Sequence, residues 1–135
     1  MRFWLLARLL ALAAFLGFVA AGLGFALFPQ DLVGVPVRRE AVFWHGLALA
    51  FMATVSVLAL MVFLNPRRYW PMLLPLATGK AVSSFSSVAW LTMYPKIDAL
   101  RLNAVLDGAI AVLALLLYAW ARRASRGNSL RAVLQ

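Results

Sequence analysis

The stretch AVFWHGLALAFMATVSVLALMVFL, residues 41–64, decides the fold of this chain. It contains no Asp, Glu, Lys or Arg, and His45 is its one ionisable side chain. A helix needs roughly 20 apolar residues to cross the hydrocarbon core of a bilayer. The stretch therefore predicts a membrane-spanning helix, and the lipid bilayer becomes the first expected partner.

Three more apolar segments flank this stretch. Residues 9–28 carry no charged side chain. Lys80 is the only charged side chain in residues 69–94, and Asp107 is the only one in residues 102–121. Backbone groups in lipid must be satisfied within the protein, and the runs are too long and too uniformly apolar for barrel strands. The sequence predicts an all-α fold, an antiparallel bundle of four transmembrane helices. We expect one domain over residues 1–135, with helices near 3–28, 41–64, 70–94 and 99–121 and a short, frayed basic tail at 122–135.

The composition excludes several kinds of chemistry. The chain has no cysteine and one histidine, which removes disulfides, thiolate metal sites, iron–sulfur clusters and a haem held by two histidines of one chain. No carboxylate cluster suits a metal ion. We therefore expect no cofactor and no metal. The net charge of +9 would suggest nucleic acid in a soluble protein, but the charges lie at predicted helix ends, so no nucleic-acid partner is expected.

The distribution of basic residues predicts the orientation in the membrane. Eight lie on the side of the two termini, and four lie on the other side: Arg2, Arg8, Arg67, Arg68, Arg122, Arg123, Arg126 and Arg131 against Arg38, Arg39, Lys96 and Arg101. The positive-inside rule then places both termini in the cytoplasm, with the chain in a plasma membrane. The first segment is longer than the core of a signal peptide, which favours a retained helix.

A short aromatic and basic segment precedes the third helix. Arg67 and Arg68 stand beside Tyr69 and Trp70, a combination typical of the membrane–water interface. We interpret these four residues as lipid-interface anchors. A preference for anionic lipid is an alternative interpretation, and a plain anchor is favoured.

Polar side chains in the predicted spans form the candidate functional site. An ionisable group at the centre of a span costs roughly 2.5–3.5 kcal/mol, so each requires a specific reason. Counted along the helices, most of these groups lie in the half nearer the outer surface and predict a polar cavity open to that side. The candidate ligand or proton site comprises Asp107, His45, Asn103, Lys80, Ser83, Ser84 and Ser87.

Direct pairing of Lys80 with Asp107 is disfavoured by the same count. Their depths differ by roughly 9 Å at the helical rise per residue, and their side chains lean in opposite directions. Lys80 is expected to extend toward the cytoplasmic interface instead. For Asp107 three alternatives stay open: a protonated carboxyl, hydrogen bonds to serine hydroxyls, or a pair with His45.

Small residues recur at helical spacing on the first two segments. The first has Ala14, Gly17, Ala21 and Gly24, and the second has Gly46, Ala50 and Ala53. Such stripes let helices approach closely in lipid. They suit either tight packing within the chain or self-association, and the sequence does not separate these two.

Three functions fit these features to different degrees. The absence of a reaction motif and the small-residue stripes favour a non-catalytic accessory, assembly or scaffold subunit, as a homo-oligomer or in a larger complex. The alternative is a proton-coupled carrier or ligand-binding membrane protein that uses Asp107 in the outer-half cavity. An intramembrane serine hydrolase is disfavoured because no Gly-x-Ser-x-Gly motif is present, so we expect no enzyme.

The layout resembles the small four-helix membrane proteins grouped around the DoxX family. The likeness covers about the whole chain and rests on the link at residues 28–36, the opening Trp44-His45-Gly46-Leu47 of the second helix, and Asn65-Pro66-Arg67-Arg68 before the third. The resemblance implies a bacterial inner-membrane protein, sometimes attached to redox or sulfur-oxidising machinery. It assigns no functional residue, and any redox role would come from a partner.

Overall fold

The computed structural model describes the backbone of residues 2–28 and 42–133 and the side chains of residues 3–28 and 42–125. Almost all of this part is helical, without a β-strand, which confirms the all-α class. In chain order the elements are α1 Arg2–Leu27, α2 Val42–Leu64, α3 Pro66–Tyr69, a 3-10 turn at Trp70–Met72, α4 Leu73–Met93 and α5 Asp98–Val133.

Three of the described helices are long and apolar enough to cross a membrane. They are Phe3–Leu27, Val42–Leu64 and Asp98–Ser125. The remaining long helix, α4, has 21 residues, but Lys80 and its serines make it more polar than the other three. The chain is therefore consistent with a multi-pass membrane protein.

Proline and asparagine set the boundaries between α2 and α4. Asn65 ends α2, and its side-chain Oδ1 accepts a hydrogen bond of 3.2 Å from the backbone N–H of Arg68. Pro66 occupies the first turn of α3, where its missing N–H leaves no bond unmade. At its other end α4 stops at Met93. Pro95 disfavours helix in Tyr94, the residue before it.

The long helices pair mainly as α1 with α2 and α4 with α5. Small buried side chains lie where these pairs meet, and they let the backbones approach closely. The shared core contains residues of all four long helices, among them Ala7, Ala11, Ala59, Ala77 and Ala114. The fold thus places α4 and α5, which carry most of the candidate site, side by side.

The last helix is longer than the sequence predicted. α5 continues to Val133, through the segment expected to be a frayed tail. Its residues after Ala121 include arginine, alanine and leucine, which are good helix formers, and no proline interrupts them. The predicted end at residue 121 was placed where the hydrophobicity is lost. The helix continues beyond it because the following residues have high helix propensity.

Candidate functional site

Lys80 and Asp107 form an ion pair between α4 and α5. The Nζ of Lys80 donates a hydrogen bond of 2.8 Å to Oδ1 of Asp107. Only 4% and 7% of the two side chains are exposed. The expectation that these residues point apart was wrong, and the two ionisable groups inside the predicted spans of α4 and α5 are partners.

The register of the two helices explains the pairing. Ser84 Oγ donates a 2.7 Å bond to the carbonyl oxygen of Ala104, which places these two residues at the same level. Lys80 lies one turn from Ser84, and Asp107 lies one turn from Ala104 in the same direction, because the helices run antiparallel. Depths counted separately from each helix end do not contain this alignment. The long side chain of Lys80 covers the distance that is left between the two helices at this level.

Two aromatic rings enclose the ammonium group of Lys80. Its Nζ lies 4.5 Å from the ring centroid of Phe18 on α1 and 5.6 Å from that of Phe51 on α2. A cation over an aromatic face is attracted by the ring quadrupole, more strongly where water is excluded. The ion pair therefore has neighbours on all four long helices. Sequence reasoning missed both rings, because phenylalanine is common in apolar spans and carries no positional signal.

Gly79 permits the close approach of one of these rings. A Cβ atom at this position would lie 3.0 Å from Cε2 of Phe51. This separation is tighter than ordinary van der Waals contact, so a larger residue would force the ring to move. The glycine next to Lys80 in sequence thus lets Phe51 rest against α4.

Asn103 joins α5 to two serines of α4 on the same interface. Its Nδ2 donates bonds of 3.1 Å to Ser83 Oγ and 2.8 Å to Ser87 Oγ. Asn103 lies one turn from Asp107, on the side toward the Tyr94–Ile97 turn. The structure therefore brings together six of the seven candidate residues: Lys80, Asp107, Asn103, Ser83, Ser84 and Ser87.

His45 is the candidate that stays separate. It lies half-buried near the start of α2. Among the described residues, no hydrogen bond joins His45 to Asp107, whose carboxylate bonds Lys80. The serine hydroxyls likewise bond Asn103 or a backbone carbonyl rather than Asp107. The two alternative partners of Asp107 are therefore replaced by Lys80.

Neither of the two best-defined cavities in the described part of the chain is lined by the polar group. One, of about 470 Å³, is a groove lined by Trp4, Leu5, Arg8, Leu64, Asn65, Pro66 and Arg67. The other, of about 30 Å³, is apolar and lies between the four long helices. A polar cavity in the outer half stays a prediction. Within residues 3–28 and 42–125, no three potential metal-ligating side chains cluster.

The predicted interface anchors lie on α3 and the turn after it. The guanidinium of Arg68 lies 5.4 Å from the ring centroid of Tyr69. The ring of Trp70 packs 5.2 Å from that of Tyr118 on α5, between centroids. These contacts fix the aromatic pair beside the cations, and their position relative to lipid stays a prediction.

Comparisons with protein-family models, with curated proteins and with solved structures find no match to this chain. The fold and site define a class on their own terms. Over its described residues the chain is helical, with three helices able to cross a membrane and a buried ion pair between two helices.

Proposed function

We propose that this chain is a non-catalytic accessory or scaffold subunit of the bacterial plasma membrane. The observation that carries the proposal is the buried Lys80–Asp107 pair. A carrier uses a membrane carboxylate that exchanges its partner for a proton or substrate. Here the carboxylate bonds an ammonium of the same chain, and aromatic rings hold that ammonium from the other side. The two charges act as a contact between helices.

The same pair supports a fourth span by α4. A lone lysine in a span is costly, but a lysine bonded to a carboxylate and covered by two rings meets lipid with little exposed charge. In this proposal α1, α2, α4 and α5 form an antiparallel four-helix bundle in the membrane. Arginine is in excess on the side of the bundle that carries the two termini, which supports a cytoplasmic location for both.

One face of α2 is suited to a partner helix. Gly46, Ala50 and Ala53 are all exposed, and a Cβ atom at Gly46 would have no neighbour within 4 Å. By contrast, the space beside Gly79 and Gly108 is filled by a side chain of the same chain, Phe51 and Ser84 respectively. Small exposed residues allow another helix to approach closely in lipid, where contact area replaces the hydrophobic drive. This face supports assembly with a second copy or another membrane protein.

The test is recovery of the complex from membranes in mild detergent, measured by native mass spectrometry. We expect the wild type in a stoichiometric complex, and Ala50→Leu to lose it because the larger side chain fills the close-approach face. Ala109→Leu is the matched control, since Ala109 is an exposed alanine on α5. A wild type recovered as a monomer, or equal loss in both variants, would argue against a scaffold.

A second candidate function has one observation in its favour. The hydrogen-bonded group of Asn103, Ser83 and Ser87 lies one turn from the ion pair, along the same interface. Such a polar route suits a proton-coupled carrier that uses Asp107. In proteoliposomes carrying a pH-sensitive dye, a gradient of tetraphenylphosphonium should then drive proton flux that Asp107→Asn abolishes. Flux equal to that of empty vesicles would remove this candidate.

The resemblance to the DoxX family is compatible with the first proposal. It implies a small inner-membrane protein that sometimes accompanies redox machinery. In this chain such chemistry would belong to the partner, since the sequence has no cysteine. Identification of the co-purified protein is therefore the direct route to a pathway.

A further inference from the structure

We propose that the groove between the start of α1 and the α2–α3 junction binds the phosphodiester headgroup of an anionic phospholipid. The groove has a volume of about 470 Å³, and two of its lining residues are arginines, Arg8 and Arg67. The inference goes beyond the proposed function and does not depend on it, because a scaffold and a carrier could both hold such a lipid.

Arg8 is the first element of the site. It lies within the apolar segment Phe3–Leu27, it is exposed, and its guanidinium lies 5.1 Å from the ring centroid of Phe63 on α2. A charged side chain on a membrane helix requires a counter-charge or water. The ring attracts the guanidinium charge, and a cation–π contact of this kind does not require the N–H donors as a hydrogen bond does. A phosphate accepts two such donors side by side.

Arg67 is the second element, and the local fold sets its position. Asn65 caps α3 through its bond to the N–H of Arg68, and Pro66 is buried beneath the turn. This short helix holds Arg67 on the wall of the groove that also contains Arg8. Arginine suits this role better than lysine, because its planar fork matches the geometry of phosphate.

The remaining lining residues fit the apolar part of a lipid. Trp4, Leu5 and Leu64 contribute indole and aliphatic surface to the same groove. Tryptophan is enriched at the level of lipid headgroups, where its ring is apolar and its N–H is wet. A glycerophospholipid can therefore place its phosphate at the two arginines and the start of its acyl chains along these side chains.

The described acidic side chains offer no counter-charge at this groove. Asp107 bonds Lys80, and Asp98 lies 3.3 Å from Arg101. Among the described side chains neither Arg8 nor Arg67 belongs to an ion pair. Charge complementarity thus favours an anion from outside the chain.

The test is native mass spectrometry of the purified full chain in mild detergent, titrated with phosphatidylglycerol or with phosphatidylcholine of the same acyl chains. We expect tighter binding of phosphatidylglycerol. Arg8→Gln and Arg67→Gln should each weaken it about tenfold, the loss of one charge-assisted contact. Arg123→Gln is the matched control, because Arg123 is an exposed arginine on α5 and does not line the groove.

Three results would overturn the assignment. Equal binding of the two lipids would remove the headgroup preference. Equal loss in all three variants would mean a diffuse attraction to surface charge. Displacement of phosphatidylglycerol by the same concentration of inorganic phosphate would make the groove a free-phosphate site. Should Arg8→Gln fail to fold by circular dichroism, Arg8→Lys keeps the charge, and we expect it to bind more weakly than the wild type because the fork is lost.

Discussion

The Nζ of Lys80 and the Oδ1 of Asp107 lie 2.8 Å apart across the α4–α5 interface, with both side chains almost completely buried. The rings of Phe18 and Phe51 extend this contact to α1 and α2. The two helix pairs share an apolar core, and this charged centre joins them as well. In lipid, where apolar contacts give no hydrophobic drive between helices, such a centre specifies which helices meet.

Asp107→Asn should destabilise the protein by about 3–5 kcal/mol, because it leaves the lysine charge buried without its partner. The measurement is the midpoint of unfolding on titration with sodium dodecyl sulfate, followed by loss of helical circular dichroism. The double variant Lys80→Met/Asp107→Asn removes both charges and should recover most of this loss. A double variant as unstable as the single one would contradict a pairwise role.

Phe18→Leu should lower stability by about 1 kcal/mol beyond the loss of apolar contact, since the cation–π interaction with Lys80 disappears. Phe85→Leu is the control, because the ring of Phe85 is 75% exposed. Combining Phe18→Leu with Lys80→Met measures the coupling between them. If the two substitutions act additively, the ring does not hold the ammonium.

Gly79→Ala should be less stable than Gly46→Ala by about 1 kcal/mol, because only the first forces a packed side chain to move. A new Cβ at Gly79 would lie 3.0 Å from Phe51, whereas one at Gly46 would meet open space. Both gain the same helix propensity, so the comparison isolates the contact. Thermal unfolding of both variants in the same detergent measures the difference. Equal stability would contradict the contact between Phe51 and the backbone at Gly79.

Asn103→Ala should cost about 1 kcal/mol, the usual size of a hydrogen bond between membrane helices, since both of its serine partners lie on α4. Hydrogen exchange of the α4 and α5 amides measures the loosening of this pair. Thr92→Val provides a control, because the hydroxyl of Thr92 bonds only the nearby carbonyl of Ala89. Exchange unchanged in Asn103→Ala would show that this contact does not hold the helices together.

The sequence predicted the helices well where the apolar runs were clear. The described bounds of α2 differ from the predicted 41–64 by one residue, and proline or asparagine follows the ends of α2 and α4. The length of α5 was underestimated, because its basic end keeps high helix propensity after its hydrophobicity is lost. The proposed span by α4 depends on the partners of Lys80, which the hydropathy pattern of one segment does not contain.

The candidate site was predicted as a set of residues but not as a set of contacts. Asn103 and Asp107 share a face of α5 because they lie one turn apart, which spacing reveals. The pairing of Lys80 with Asp107 depends on how α4 and α5 slide along each other, and no single-helix count determines that offset. The rings around Lys80 depend on how the α1–α2 pair packs against the α4–α5 pair, which sequence spacing does not encode.

The most direct test of the account is recovery of the native complex from four forms of the protein. These are the wild type, Lys80→Met, Asp107→Asn and the double variant, each solubilised mildly and weighed by native mass spectrometry. We predict that the wild type and the double variant are recovered with partner or copy bound, and that each single variant loses it. A double variant that fails like the single ones, or a wild type recovered alone, would contradict the claim that this pair holds the scaffold together.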